Sequence, residues 1–288
     1  MTLQASIDTG IARLNCGGRP LDLGRVAVVG ILNVTPDSFS DGGLFLARDR
    51  AIAQARKMAR QGAEMIDVGG ESTRPGARAV SIQEELDRVI PVIEALPEAV
   101  PVPISIDTSK PEVMREAVTA GAGMINDVWA LRAPGALQTA AQLGVPVCLM
   151  HMQGEPRTMQ DDPHYDDVVQ EVKEFLRLRR QACLHAGIDA ANIIVDPGFG
   201  FGKTLHHNLE LLRNLGELQS LGAPVLVGLS RKSMIAKVLV DLPAEGRVAA
   251  SVALAVLAVH SGARLVRVHD VGATCGAVRM AEAVCCAR

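Results

Sequence analysis

The feature of this sequence that most constrains its fold is an eightfold alternation between short, β-branched apolar runs and longer stretches rich in Ala, Leu, Glu and Arg. Short buried strands alternating with helix-length segments are typical of a parallel sheet covered by helices. The predicted strands are residues 26–32, 65–68, 104–107, 124–127, 145–150, 193–196, 225–229 and 265–268. Helical periodicity is found at residues 48–61, 82–96, 111–120, 165–186, 205–215 and 244–260.

Eight strand–helix units in roughly 250 residues are the number and size of a (β/α)8 TIM barrel, an α/β fold. No Pro/Ser-rich linker divides the units, so we expect residues 1–288 to form a single domain. Periodicity does not determine whether the sheet closes. An open doubly wound sheet is therefore the alternative architecture.

Composition excludes several classes of protein. A net charge of −3 and an aromatic content of 2% disfavour nucleic-acid binding. The longest apolar run, residues 248–260, is shorter than a membrane span, and the N-terminus has no signal-peptide pattern, so we expect a soluble, cytoplasmic protein. The six cysteines lack CxxC spacing and are expected to be reduced thiols.

Polar and charged residues follow most of the predicted strands. In a TIM barrel all eight carboxyl ends of the strands meet on one face, where active sites lie. At any single position such a residue could instead cap a helix or brace a turn. The accumulation of these residues favours an active site.

Two loops near the N-terminus are rich in polar groups. Residues 33–43 carry short oxygen ligands that suit a hard cation, although a plain surface turn is the alternative. Residues 69–76 place Arg74 between glycines and a proline, where a guanidinium can reach a ligand.

A third loop, DPGFGFGKT at residues 196–204, superficially resembles a phosphate-binding loop. The required first glycine is replaced by Pro197, and the loop follows the sixth strand rather than the first, so nucleotide-binding motifs are rejected. We expect its glycines to let the backbone and Phe201 approach a flat ligand.

The remaining candidates suggest an anionic group and a heterocycle. SRKS at 230–233 and RVH at 267–269 follow the last two strands, where TIM barrels often bind phosphate. Asp107, Asp196 and Asn126 end apolar strands and would pair with a row of N–H donors, with helix capping as the alternative. No HxH or HExxH pattern occurs, which disfavours a zinc hydrolase, and His151 could equally be structural.

Eight blocks, in this order, resemble the dihydropteroate synthase family from about residue 25 to residue 280. They are GILNVTPDSFSDGG (30–43), DVGGESTRPGA (67–77), SIDTSKP (105–111), IND (125–127), MHMQG (150–154), DPGFGFGK (196–203), SRKS (230–233) and RVHDV (267–271). The resemblance implies a (β/α)8 barrel, a homodimer, and condensation of 6-hydroxymethyl-7,8-dihydropterin diphosphate with p-aminobenzoate. The products would be 7,8-dihydropteroate and diphosphate.

The resemblance also implies roles for individual residues. The expected pterin pocket comprises Asp107, Asn126, Asp196 and Lys232, bordered by Met150 and Gly228. The groups expected to bind or screen the diphosphate are Thr73, Arg74, Arg267 and His269, with Asn33 as a ligand of Mg²⁺. The p-aminobenzoate pocket is expected to comprise Phe39, Pro75, Phe201 and Ser233. Within this set, Lys232, Asp107 and Arg74 are the predicted catalytic residues.

Two other functions fit a similar barrel. A pterin-binding methyltransferase acting on methyltetrahydrofolate would present similar Asp and Asn residues but would not need a diphosphate site, so the basic blocks argue against it. A non-catalytic paralogue that binds a pterin or phosphate is the second alternative. The presence of Asn33, Arg74 and Lys232 argues against that alternative.

Overall fold

Strands and helices alternate along the chain in the computed structural model, which describes residues 13–35, 43–72, 78–155, 158–240 and 242–286. The strands are β1 (Arg13–Cys16), β2 (Arg19–Asp22), β3 (Ala27–Asn33), β4 (Met65–Gly69), β5 (Ile104–Asp107), β6 (Met124–Asp127), β7 (Val147–Met150), β8 (Ile193–Asp196), β9 (Leu226–Val227) and β10 (Leu265–Val268). The helices are α1 (Gly43–Arg60), α2 (Ile82–Ala99), α3 (Pro111–Thr119), α4 (Ala136–Leu143), α5 (Val168–His185), α6 (Leu205–Arg213), α7 (Ser233–Val238), α8 (Val248–His260) and α9 (Val271–Cys286).

The eight strands β3 to β10 form a parallel barrel. Their order is β8-β7-β6-β5-β4-β3-β10-β9, so the strands from β3 to β8 pair in sequence and β10 pairs with both β3 and β9. A parallel bridge between Val195 and Val225 joins β8 to the start of β9, and the Val195 N–H donates to the Pro224 carbonyl at 3.0 Å. These contacts close the sheet, so the barrel prediction is confirmed and the open sheet is wrong.

The strands are apolar because both of their faces are buried. Val28 and Ile66 belong to the large cluster of buried residues that includes helix residues such as Val92 of α2. The alternate residues Val29 and Met65 belong to a second cluster inside the barrel. Two apolar layers therefore surround each strand, which leaves the carboxyl ends for polar groups.

An antiparallel hairpin, β1–β2, closes the amino-terminal end of the barrel, and no sequence pattern predicted it. Leu14 and Leu21 are buried in the same cluster as Val29 and Met65. Arg19 fastens the hairpin by donating to the carbonyls of Pro97 at 2.6 Å and Val100 at 2.8 Å. The hairpin thus separates the barrel interior from solvent at the end opposite the polar residues.

Element boundaries follow local capping. The helix predicted from residue 165 begins at Val168, because the Asp167 carboxylate caps it by accepting from the N–H groups of Val169 and Gln170, both at 3.0 Å. The strand predicted over 225–229 is only Leu226–Val227, and the chain then turns through Arg231 at φ +58°.

The four cysteines whose side chains are described, Cys16, Cys148, Cys183 and Cys275, are free thiols, as predicted. Within the described ranges, none of the helices combines the length and apolar character needed to cross a membrane.

Candidate active site

Strand register brings the predicted polar residues side by side at the carboxyl end of the barrel. Gly69 of β4 lies opposite both Asn33 of β3 and Asp107 of β5. Asp107 is also aligned with Asn126 of β6, and Met150 of β7 with Asp196 of β8. The expectation that these strand ends share one face is therefore correct.

Arg267 of β10 organises one half of the site. Its Nε lies 2.5 Å from Asp67 Oδ2, and its Nη2 lies 2.7 Å from Asp107 Oδ2. One planar guanidinium therefore ties β10 to two strands across the barrel mouth. The two carboxylates hold the Arg267 pKa above its ordinary value, so the side chain stays charged.

Asp67 is a member of this network for which the sequence, although it placed the residue among the polar groups near the strand ends, predicted no role. It is fully buried, and it accepts hydrogen bonds from the Ser105 hydroxyl and, at 3.1 Å, from the Asn126 amide nitrogen. These contacts fix the amide of Asn126 with its nitrogen toward Asp67. An aspartate in the middle of an apolar strand was the signal that could have identified it.

The pKa of Asp107 is set by opposing effects. Burial raises its pKa, Arg267 opposes that rise, and the neighbouring Asp67 adds to it. Asp107 is thus a partly neutralised acceptor at the barrel mouth.

Asp196 ends β8 on the other side of the mouth. The backbone N–H of Gly198 donates to its Oδ1 at 2.7 Å. Burial raises the pKa of Asp196 to about 6, against the lowering effects of that hydrogen bond and of Lys232. At pH 7 the group is a mostly ionised, buried acceptor, which suits a ligand that presents N–H donors.

Lys232 lies between Asp196 and an aromatic wall. Its Nζ is 4.1 Å from the centroid of the Phe201 ring, and its stem passes over Gly200. Burial and the charge of Arg267 lower the Lys232 pKa to about 8, although Asp196 acts in the opposite direction. Lys232 remains mainly cationic at pH 7 and sits close to the loop predicted to meet a flat ligand.

His269 and Arg231 follow the last two strands but differ from the simple cation cluster that the sequence suggested. Burial and Arg267 lower the His269 pKa to about 4, so its ring is neutral at pH 7. Arg231 makes a two-pronged ion pair with Asp270, at 2.9 and 2.6 Å. A ligand here would meet a neutral imidazole and a guanidinium already paired with a carboxylate.

Asn33 is half-buried at the end of β3, and its Oδ1 lies near Gly69 and Asp107. The described residues contain no group of three His, Cys, Asp or Glu side chains that could hold a metal by themselves. Residues 36–42 of the loop predicted to bind a cation lie outside the described residues.

The other predicted site residues fall into two groups. Met150 is buried, Gly228 is half-buried, and Ser233 is exposed at the first position of α7. Outside the described residues lie Phe39, Thr73, Arg74 and Pro75.

Comparisons with known proteins agree with this geometry. The family model described as pterin binding enzyme matches residues 29–269. The chain is 53% identical to dihydropteroate synthase from Haemophilus influenzae over 271 residues, covering 94% of this chain and 98% of the relative. It is 52% identical to the Escherichia coli dihydropteroate synthase over 276 residues, covering 96% and 98%.

Solved structures are equally similar. Xanthomonas albilineans dihydropteroate synthase with 4-aminobenzoic acid superposes with a TM-score of 0.91 at 55% identity, covering 96% of this chain and 99% of that one. The same organism's enzyme in complex with 7,8-dihydropteroate gives a TM-score of 0.88 at 52% identity, covering 96% and 100%.

Proposed function

This chain belongs to the pterin-binding enzyme family, among the dihydropteroate synthases, and we propose that it joins a dihydropterin to p-aminobenzoate. The substrates are 6-hydroxymethyl-7,8-dihydropterin diphosphate and p-aminobenzoate, and the products are 7,8-dihydropteroate and diphosphate. The reaction makes the chain a transferase of folate biosynthesis.

The observation that carries the proposal is the set of acceptor groups at the carboxyl ends of three barrel strands. Asp107 and Asn126 end β5 and β6 and are held by Arg267 and Asp67, and Asp196 ends β8. A pterin carries a 2-amino group and ring N–H groups that match buried carboxylate acceptors. We assign its donor edge to Asp196, with Met150 and Gly228 beside the ring.

At the methylene carbon of the pterin the reaction forms a C–N bond and breaks a C–O bond. The amine nitrogen of p-aminobenzoate donates its lone pair to that carbon, the electrons of the C–O bond leave with the diphosphate, and the surplus proton of the amine passes to water or to the departing diphosphate. An arylamine is a neutral nucleophile at pH 7, so neither Asp107 nor Asp196 has to act as a strong base. Positioning and charge stabilisation supply the catalysis.

Carboxylates around the pterin also affect the reacting carbon. Positive charge develops there as the diphosphate departs, and the pterin ring can share that charge when ionised groups hold its N–H edge. Asp196, with a pKa of about 6, is mostly ionised at pH 7 and can serve in this way.

We assign the departing diphosphate to the polar groups after the last two strands and after β4. Lys232 supplies positive charge, and His269, neutral at pH 7, can donate one hydrogen bond. By resemblance, Arg267, Thr73 and Arg74 complete this set.

Among the described residues, Asn33 fits Mg²⁺ as an ion shared with the substrate. Mg²⁺ is commonly held by one or two protein oxygens together with substrate phosphates and water, which matches the single amide oxygen of Asn33 at the barrel mouth. When bound, Mg²⁺ would neutralise charge on the diphosphate as it leaves.

The second substrate is assigned to the surface formed by Phe201 and Ser233. The Phe201 ring gives an apolar wall for the benzene ring of p-aminobenzoate. Ser233, the residue that follows Lys232 in the sequence, is exposed at the start of α7. Phe39 and Pro75 are expected to complete this pocket.

We also propose a homodimer formed through α8 and α9. These helices pack against each other and leave Leu257, Met280 and Val284 exposed by 53%, 66% and 71%. Large apolar side chains exposed on two adjoining helices favour an interface. The free thiols agree with a cytoplasmic location, where cysteines stay reduced.

The test is product formation by the purified protein with Mg²⁺, omitting each substrate in turn. We expect dihydropteroate, identified by mass, only when both substrates are present. Binding of the pterin without product would instead support the non-catalytic alternative.

A further inference from the structure

A lysine that never reaches the barrel mouth lies directly behind the proposed site. Lys203 is 2% exposed, and its Nζ donates to the carbonyls of Gly198 and Phe201, both at 3.0 Å, and to His151 Nδ1 at 2.8 Å. In its protonated form Lys203 has donors only, so His151 then accepts through Nδ1 and carries its proton on Nε2. All three donors of Lys203 are thereby used inside the protein.

The chain around Lys203 folds back on itself to make these contacts. Gly198, Gly200 and Gly202 all have left-handed backbone conformations, with φ of 68°, 79° and 58°. A Cβ on Gly198 would lie 1.9 Å from the His151 carbonyl oxygen, and one on Gly202 would lie 2.4 Å from that of Gln153. The 198–202 loop is therefore pressed against the loop that follows β7.

Four carbonyls of the 198–202 loop accept hydrogen bonds from side chains of the protein. Besides the two that Lys203 holds, the Gly200 carbonyl accepts from Gln160 at 2.6 Å and the Gly202 carbonyl accepts from the Tyr165 hydroxyl at 2.7 Å. At Phe201 itself, Lys203 binds the carbonyl, and the Phe201 N–H donates to the Gly198 carbonyl at 3.2 Å.

Phe201 is the point where the loop meets the site. Its ring lies beneath Lys232 Nζ at 4.1 Å and packs in a small cluster that includes Met150. Trp129 packs against that cluster and is the single tryptophan of the sequence.

We propose that Lys203 is a positioning residue for the second substrate: by holding the Phe201 carbonyl it fixes the Phe201 ring as the wall against which p-aminobenzoate binds. This inference rests on the proposed function. It concerns Phe201 more than Asp196, because Asp196 is held where β8 pairs with β7, whereas Phe201 lies in the loop beyond the strand.

Burial is consistent with such a role. It lowers the Lys203 pKa to about 7, against the attraction of Asp196, and burial together with Lys203 lowers the His151 pKa. Burying a lysine amine is unfavourable unless it is hydrogen-bonded, and the three acceptors around Lys203 supply those hydrogen bonds.

A double-mutant cycle tests the inference, with Lys203→Met, Phe201→Ala and the double variant compared with the wild type. Losing the contacts of one buried cation should raise the KM for p-aminobenzoate about tenfold, with kcat and the pterin KM changing less than about threefold. If Lys203 acts through Phe201, the same change in the Phe201→Ala background should alter that KM less than about twofold.

Two further variants keep the test interpretable. Lys57→Met, on the exposed face of α1, is the matched control and should leave every parameter unchanged. If Lys203→Met does not fold, His151→Phe keeps a ring against Phe175 while removing one acceptor, and should raise the same KM by a smaller factor. The inference would be overturned if Lys203→Met or His151→Phe changed the KM for p-aminobenzoate equally in the wild type and in Phe201→Ala, or did not change it at all.

Trp129 fluorescence separates this inference from the proposed function, since it needs no turnover. If the wild type makes no dihydropteroate, the reaction has been misassigned, and the emission alone decides the role of Lys203. A shifted emission in Lys203→Met that is absent in Lys57→Met would support positioning of Phe201. An unchanged emission would refute it.

Discussion

Replacing Gly123 by alanine should strongly destabilise the protein through the hairpin that closes the barrel. A Cβ at this position would lie 2.2 Å from the carbonyl carbon of Cys16, 2.3 Å from its oxygen and 2.7 Å from the Gly17 nitrogen. All three are backbone atoms, so no side-chain rotation can relieve the contact. Reaching the 3.4 Å of ordinary contact requires the hairpin to move by about 1.2 Å.

The energetic effect follows from what the hairpin covers. Overpacking of a filled core costs about 1–3 kcal/mol. Moving β1–β2 also loosens Leu14, Cys16 and Leu21, each at most 3% exposed, from the inner apolar layer. We therefore expect the free energy of unfolding to fall by about 3 kcal/mol and Tm to fall by roughly 6–12 °C.

The measurement is urea unfolding together with a thermal melt of Gly123→Ala and a matched variant, Gly276→Ala. Gly276 lies within α9 with open space around its Cβ position, so alanine there should stabilise the protein by about 0.5–1 kcal/mol. The folded fraction of Gly123→Ala should retain its kcat, because the hairpin lies at the end opposite the site. A change in stability below about 0.5 kcal/mol for Gly123→Ala would refute the tight closure by the hairpin.

The other predictions concern the site and the proposed assembly. Lys232→Ala and Asp196→Asn should each lower kcat/KM by about 100-fold or more while circular dichroism shows an intact fold, and near-normal turnover would remove that residue from the mechanism. Because the Asp196 pKa is raised to about 6, kcat/KM should fall as the pH drops through 6; a flat profile there would contradict its role as an ionised acceptor. The same raised pKa means that the ionised form destabilises the fold, so Asp196→Asn should unfold at higher urea concentration at pH 7, with the gain vanishing below the ordinary value of 3.8. Removing divalent cations with a chelator should abolish turnover until Mg²⁺ is restored, and activity that persists would exclude the ion. Met280→Asp should convert a dimer to a monomer in sedimentation, whereas an unchanged mass would place the interface elsewhere.

The repeated strand–helix pattern predicted the barrel because buried parallel strands need apolar residues on both faces. The four-residue strands β5, β6, β8 and β10 were predicted to the residue, since each ends at a polar side chain or just before one. The hairpin β1–β2 was missed because its apolar residues, such as Leu14, are buried only by strands distant in sequence. Local periodicity carries no information about such contacts.

Site residues were predictable where they stand at a strand end, and less so where a long-range partner defines them. Asp107 and Asp196 stood out as charges after apolar runs. Asp67 is defined by Arg267, 200 residues away, so its part in the network could be seen only in three dimensions. The same is true of Lys203, whose three acceptors come from two separate loops.

Diphosphate and dihydropteroate measured in the same reaction of the wild-type protein distinguish a synthase from a pterin-binding protein without activity. We expect one diphosphate released for each dihydropteroate formed, with both dependent on p-aminobenzoate and both reduced together in Lys232→Ala. Diphosphate released at the same rate without p-aminobenzoate, or a pterin that binds and yields neither product, would contradict that expectation.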